Sequence, residues 1–99
     1  MTQPASWQEL AEQGAPELMK VVSGARESIL SDGALSNKNK TLMTMLCDAL
    51  LGHGGGVETI ANRARAAGAS EEEIAETVGV AFLMGGLPAL VTGASAFKR

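Results

Sequence analysis

The residue best suited to proton transfer is the chain's one histidine, His53, which three glycines follow directly. Histidine changes its charge near neutral pH, so His53 can act as a general acid or base or as a hydrogen-bond donor. The amides of Gly54, Gly55 and Gly56 lie near the predicted start of a helix, where they can bind a carboxylate or an oxyanion. The same residues are also typical of a solvent-facing, glycine-rich turn between helices. Both interpretations stay open.

Charged side chains on both sides of His53 are candidate partners for it. Asp48 and Glu58 can each orient the ring or complete an acid/base pair. Arg63 can bind a carboxylated ligand through two hydrogen bonds. All three are also explained as solvated residues on helix surfaces. A single histidine without clustered cysteine, histidine or carboxylate partners predicts no metal site.

The order His-Gly-Gly-Gly also occurs in the oxyanion loop of lipases, but the rest of a lipase site is missing from this sequence. That loop works with a serine in a Gly-x-Ser-x-Gly turn between a strand and a helix. The segment from Gly93 to Phe97 contains Ser95, lacks the second glycine and follows no predicted strand. The match is therefore interpreted as a coincidence.

The chain has one cysteine, Cys47, which excludes an intrachain disulfide and any CxxC motif. It lies within a predicted helix, among methionine and leucine residues. Cysteine in such surroundings is more often a small buried apolar residue than a reactive thiol. We therefore expect Cys47 to be buried and inert.

The length and charge of the chain limit its class. At 99 residues it has room for one domain, 1–99, and a domain this short leaves much apolar surface uncovered, so a homo-oligomer is expected. The net charge is −3 and the eight lysine and arginine residues are scattered, which argues against nucleic acid as a partner. The first residues lack the pattern of a secretory signal, so we expect a cytoplasmic protein.

One segment, Thr77 to Phe97, carries no charged residue and is long enough to cross a bilayer. Its glycines, proline and small residues contribute little to transfer into lipid. A helix that is apolar on most sides is more commonly buried in a protein core or in a subunit interface. We therefore expect no membrane partner and assign this segment to the core and to an interface between subunits.

Apolar residues recur at helical spacing along the chain, and the alternation typical of strands is missing. The sequence predicts an all-α fold in which residues 1–14 form an N-terminal flap. Three helix ends have clear capping signals: Ser36, Gly68, and the capping box from Ser70 to Glu73. The predicted helices cover Ser6 to Gln13, Pro16 to about Asp32, Ser36 to Gly52, Val57 to Ala67, Ser70 to Gly85, and a last helix to about Phe97.

From Leu35 onward, the order of these signals resembles the AhpD-like/carboxymuconolactone decarboxylase family. The residues that carry the resemblance are Leu35–Lys40 at the start of a helix, the Gly52 turn, Ala66–Ile74 and Val80–Leu90. The resemblance, which begins at Leu35, covers about two-thirds of the chain. The resemblance implies an all-helical fold around a helical hairpin, without a cofactor, assembled as trimers or hexamers.

Two activities dominate the family: hydroperoxide reduction by a CxxC pair with a nearby glutamate and histidine, and decarboxylation of a carboxylated lactone. By position, the resemblance places the first cysteine at His53, the second at Gly56, the histidine at Ile60 and the glutamate at Thr41. All four residues differ from the peroxidase pattern. Because a thiolate must attack and a second thiol must resolve the sulfenic acid, thiol peroxidase chemistry is not expected.

Two functions from different classes remain open. The first is a non-redox enzyme or binding protein that uses the region of His53 for a small carboxylated or carbonyl compound. The second is a non-catalytic oligomeric scaffold or regulator. Residual alkylhydroperoxidase activity is a weaker third alternative. Burial of His53 in a pocket that faces a polar group of a neighbouring subunit favours the first function over the second, in contrast to an exposed position at the tip of a turn.

Overall fold

A computed structural model describes residues 6–98 of the protein, and every regular element in that range is a helix. The all-α prediction is therefore confirmed for these residues. The elements are α1 (Trp7–Gly14), α2 (Pro16–Leu30), α3 (Asn37–Leu51), α4 (Gly54–Ala66), α5 (Glu71–Gly85), α6 (Leu87–Gly93) and a closing 3₁₀ turn, η1 (Ala94–Phe97).

The chain divides into two compact units, one up to Ser31 and one from Asp32 onward. The first unit contains α1 and α2. The Ser6 hydroxyl accepts a hydrogen bond from the Glu9 amide and starts α1, and Pro16 lies in the first turn of α2, where its missing N–H costs nothing. No residue of either helix is buried.

The sequence-based prediction of one domain over 1–99, with 1–14 as a flap, stays a prediction. The division into units follows contacts within the chain and does not by itself define folding domains.

The second unit contains the apolar core, to which α3, α4 and α5 contribute most of the residues. Each helix contributes residues three or four positions apart, so that one face of each is buried. The largest side chains with almost no exposure are Met45, Val57 and Ile74, and many of the remaining core residues are alanines, which let the helices approach closely. The core residues are Leu42, Met45, Ala49, Val57, Ile60, Ala61, Ala64, Ala69, Ile74, Val78, Ala81, Ala89 and Ala96.

The predicted caps of the second unit are confirmed. The Ser36 hydroxyl accepts from the Asn39 amide at 3.1 Å, and Ser70 forms a complete capping box with Glu73. Gly68 has a φ of 100°, which is the left-handed conformation expected after a helix. These local signals fix where α3 and α5 begin and where α4 ends.

Two details differ from the predictions. Helix α4 begins at Gly54 and not at Val57, because the glycine residues 54–56 adopt helical dihedrals and form its first turn. The loop between α3 and α4 is therefore only Gly52 and His53. The second difference concerns α5, where helical spacing from Ile74 and Val78 predicts that Phe82 shares their face, whereas Phe82 is 47% exposed. It lies next to the buried Ala81, about 100° farther around the helix.

The uncharged C-terminal segment folds as three pieces. Helix α5 ends at Gly85, Gly86 has a φ of 74° at the bend, and α6 and η1 follow. Within residues 6–98 no helix combines the length and the hydropathy needed to cross a membrane.

Candidate functional site

The candidate site begins at the end of α3, where the backbone closes a Schellman motif. Gly52 has a φ of 82°, its amide donates to the Ala49 carbonyl, and the His53 amide donates to the Asp48 carbonyl at 2.9 Å. This pattern satisfies carbonyls that the helix end leaves without a partner. The motif also reverses the direction of the chain, so that His53 lies beside Asp48, which belongs to the last turn of α3.

The side chains of Asp48 and His53 are in contact as well. His53 Nδ1 lies 3.2 Å from Asp48 Oδ1, and the two side chains are 26% exposed for Asp48 and 60% exposed for His53. A carboxylate can only accept a hydrogen bond, so the contact favours the proton on Nδ1. In the neutral ring Nε2 is then the acceptor, and it is available to take a proton from a ligand.

Gly56 explains why the Asp48 carboxylate can lie beside the first turn of α4. A Cβ atom placed on Gly56 would be 2.6 Å from Asp48 Oδ2, closer than real Cβ atoms come, and 3.0 Å from its Cγ, so the carboxylate would have to shift. The carboxylate also adds negative charge where the dipole of α4 is positive. The carboxylate of Asp48 is therefore the negatively charged group that lies nearest to Gly56 in the first turn of α4.

The other charged candidates are not joined to this pair. Within residues 6–98 no ion pair or side-chain hydrogen bond connects Glu58 or Arg63 to Asp48 or His53. Arg63 is seven positions beyond Gly56, about 10 Å along the helix axis. Within the described range no three His, Cys, Asp or Glu side chains lie close enough together to hold a metal ion.

The model of the carboxymuconolactone decarboxylase family matches residues 16–99. The chain belongs to this family. In its fold it is similar to the apo crystal structure of a carboxymuconolactone decarboxylase family protein from Legionella pneumophila, with a TM-score of 0.81 and 32% sequence identity. The alignment covers 87% of this chain and 77% of that one. No curated protein matches the sequence.

The four residues that the family resemblance placed at peroxidase positions have different surroundings. Thr41 is buried, and its hydroxyl donates to the Asn37 carbonyl at 2.8 Å within α3. Ile60 belongs to the apolar core. His53 is exposed, and Gly56 contacts Asp48. Two of the four positions are therefore structural in this member of the carboxymuconolactone decarboxylase family.

Cys47 is exposed, so the prediction that it is a buried apolar residue was wrong. The buried residues of α3 are Thr41, Leu42, Met45 and Ala49. Cys47 lies two positions from both Met45 and Ala49, which turns it about 200° from each of them. The composition of the helix suggested burial, whereas the position of Cys47 relative to the apolar stripe decides the outcome.

Ser95 contacts the first turn of α4 at Gly54, about 200° around the helix axis from the Gly56 face that Asp48 occupies. Its Oγ lies 3.4 Å from the point that a Cβ atom on Gly54 would occupy, which places the hydroxyl beside the residue that follows His53. The contact joins η1 to the start of α4. No sequence pattern places Ser95 there, because the two residues are far apart in the chain and meet only when α6 and η1 fold back.

Two ion pairs hold the helices around the site and take no part in it. The Arg65 guanidinium forms two hydrogen bonds with Glu71, which raise the pKa of Arg65. Lys38 donates to Glu73 at 2.7 Å, and this bond, with that from the Ser70 amide, lowers the pKa of Glu73 from its ordinary value of 4.5. The first pair joins α4 to α5, and the second joins α3 to α5.

Proposed function

We propose that this member of the carboxymuconolactone decarboxylase family is a non-redox enzyme or binding protein for a small carboxylated or carbonyl compound. The observation that supports the proposal is the 3.2 Å contact between His53 Nδ1 and Asp48 Oδ1. The exposure of His53, 60% in the loop between α3 and α4, points instead to the scaffold, which is the second candidate below. A carboxylate that orients an imidazole and fixes its proton on one nitrogen is a common arrangement for general acid/base catalysis.

The chemistry available to the pair is proton transfer. Nε2 of His53 can take a proton from a carbon next to a carbonyl, and the imidazolium can return one to an electron pair on carbon, such as a decarboxylation leaves. Asp48 stabilises the imidazolium during that step because its charge is opposite. Neither step needs a thiol or an electron acceptor.

A thiol peroxidase is a poorer explanation. The reaction needs one thiol to attack the peroxide and another to resolve the sulfenic acid, and the chain has a single cysteine. The residues at the family's two proton-transfer positions, Thr41 and Ile60, are buried, and Ile60 has no titratable group. We therefore propose that residual alkylhydroperoxidase activity is absent.

Thermal unfolding with a panel of small acids and lactones tests the proposed ligand class. A ligand that binds the native state raises its apparent stability, by about 2.7 kcal/mol at a concentration one hundred times its Kd. We expect levulinate or γ-valerolactone to raise the melting temperature of the wild-type protein, and His53→Gln and Asp48→Asn to remove that rise. Thr59→Glu, at an exposed position on α4, is the control and should keep the rise. An equal response of all variants would contradict the proposal.

A second candidate function, assembly as a homo-oligomeric scaffold, is favoured by the apolar surface of α5 and α6. Leu83 is 77% exposed, and Met84, Leu87 and Val91 are exposed as well. A monomer that exposes this many neighbouring large apolar side chains is unusual, and such patches commonly mark interfaces. We propose that this surface contacts other copies of the chain, in a trimer or a hexamer.

Sedimentation velocity tests the assembly. The wild-type chain is expected to sediment as an oligomer at micromolar concentration, and Leu83→Glu to sediment as a smaller species, because a charge is costly to bury in an interface without a partner. Thr59→Glu adds the same charge at an exposed site on α4 and serves as the matched control. A wild-type chain that sediments as a monomer would contradict the proposal of a scaffold and leave the exposed apolar surface of α5 and α6 without an explanation.

A further inference from the structure

Helices α1 and α2, Trp7–Gly14 and Pro16–Leu30, contain no buried residue. They have 8 and 15 residues. Helices of this length are marginal in water on their own, and in proteins most of their stability comes from packing an apolar face. We therefore expect another surface to cover an apolar face of this helix pair.

One side of α2 carries such a face. Its apolar residues fall within an arc of about 80°, since each residue turns the helix by about 100°. They are Leu18, Val21, Ala25 and Ile29, and they are called the α2 stripe below. Leu18 is 61% exposed, and Val21 and Ile29 are each 68% exposed. The charged residues of α2 all lie outside this arc: Glu17, Lys20, Arg26 and Glu27.

The exposed apolar residues of α5 and α6 form a surface that suits the α2 stripe. This α5–α6 surface consists of Leu83, Met84, Leu87 and Val91. It belongs to the segment from Thr77 to Phe97, which has no charged residue. The stripe is also uncharged, so a contact between the two surfaces buries no unpaired charge, which would be costly.

The areas of the two surfaces show how much contact a stable assembly needs. A large apolar side chain removes roughly 100 Å² from water when it is fully buried. The α2 stripe and the α5–α6 surface, both exposed by about two-thirds, each offer roughly 200 to 300 Å² on that scale. A standard interface buries about 800 Å² per partner, of which about 65% is apolar in homodimers. A copy reaches that apolar area only when both of its surfaces are covered.

We propose that the α2 stripe of one copy packs on the α5–α6 surface of the next copy, so that copies join head to tail. The inference rests on the proposed assembly and names its two contacting surfaces. Each chain has one surface of each kind, so one type of contact covers both surfaces of every copy in a closed ring. A ring of three copies is the trimer proposed above. Pairing of each surface with its own counterpart would require two separate interfaces.

Sedimentation velocity of two variants, alone and mixed, tests this arrangement. Leu18→Glu places a charge in the α2 stripe, and Leu83→Glu places one in the α5–α6 surface. Each variant alone is expected to sediment as a monomer at micromolar concentration, where the wild type is expected to be an oligomer.

The mixture of the two variants retains one intact contact. The stripe of the Leu83→Glu chain can still pack on the α5–α6 surface of the Leu18→Glu chain, and the pair then stops growing because both remaining surfaces carry a charge. We expect a species of twice the mass of one chain when the concentration is raised about a hundredfold, since a single contact must hold the pair. Neither variant alone should form this species at the same concentration.

Thr59→Glu adds the same charge at an exposed position on α4 and should sediment as the wild type does. Circular dichroism checks the helix content of each variant, and a Leu18→Glu chain that loses helix content is replaced by Val21→Glu in the same stripe. If the substituted stripe leaves the wild-type oligomer unchanged, the inference is overturned and the proposed assembly stands. Two folded monomeric variants that form no pair when mixed would also overturn the inference. A wild-type chain that sediments as a monomer would overturn the assembly together with the inference.

Discussion

Substitution of Gly56 by alanine tests the geometry of the Asp48–His53 pair most directly. The new Cβ would lie 2.6 Å from Asp48 Oδ2, so the carboxylate must move. Gly55 is the matched control: it is the preceding residue of the same helix turn, and a Cβ there meets nothing within 4 Å. Neither glycine has a positive φ, so alanine fits the backbone at both positions.

The two substitutions should have different effects on the free energy of unfolding. In Gly55→Ala the lower entropy of the unfolded chain stabilises the protein by about 0.5 to 1 kcal/mol. In Gly56→Ala the same gain is offset, because Asp48 leaves its preferred rotamer at a cost of about 0.5 to 1.5 kcal/mol and loses favourable interaction with the helix dipole, about 0.3 to 1 kcal/mol. We expect the variants to differ by about 1 to 2 kcal/mol.

Urea unfolding followed by circular dichroism, at one fixed protein concentration, measures this difference. In an Asp48→Ala background the obstacle is gone, so Gly56→Ala should become as stabilising as Gly55→Ala, with a coupling energy of about 1 to 2 kcal/mol between the two sites. Equal effects of the two glycine substitutions in the wild-type background would refute the close packing of Asp48 on Gly56, and with it the steric requirement for glycine at position 56.

Three further outcomes are expected. His53→Ala should change the free energy of unfolding by no more than about 0.5 kcal/mol, because the ring is largely exposed, and a loss several times larger in urea unfolding would mean that His53 has a structural role. Cys47→Ala should leave any peroxide consumption unchanged in a coupled peroxidase assay, and a Cys47-dependent turnover would contradict the non-redox proposal. The pKa of Glu73 is lower in the folded protein than its ordinary value of 4.5, so its contribution to stability is complete above that pH and is lost as the pH falls through the folded value. Glu73→Gln should therefore have a lower free energy of unfolding than the wild type at neutral pH, and the two values should approach each other as the pH falls. Urea midpoints that differ by the same amount at every pH would show that the ion pair of Glu73 with Lys38 does not stabilise the fold.

Local sequence signals predicted most of the fold, because they act between residues that are near each other in the chain. The Ser70 capping box, the Gly68 C-cap and the break after Gly85 all appear where the sequence placed them. Each depends on a side chain or dihedral within one helix turn. The family also could be recognised, because its motifs occur in a fixed order.

The candidate site was only partly predictable. Asp48 and His53 are close in sequence, so their pairing could be proposed from spacing alone. The contact of Asp48 with Gly56 was not foreseen, since it depends on how α3 and α4 cross, and the three glycines looked like a turn. The exposure of Cys47 and the place of Ser95 depend on the packing of whole helices, which composition does not encode.

Asp48 and His53 are joined twice, by a backbone hydrogen bond and by a side-chain contact, and both connections form within a very short stretch of chain. The two residues are five positions apart, and loops of about ten residues close within roughly 10 to 100 ns. The pair can thus assemble with the end of α3, before α5 and α6 dock. Because its geometry is encoded locally, the exposed residues of α5 and α6 can change without separating the imidazole from its carboxylate.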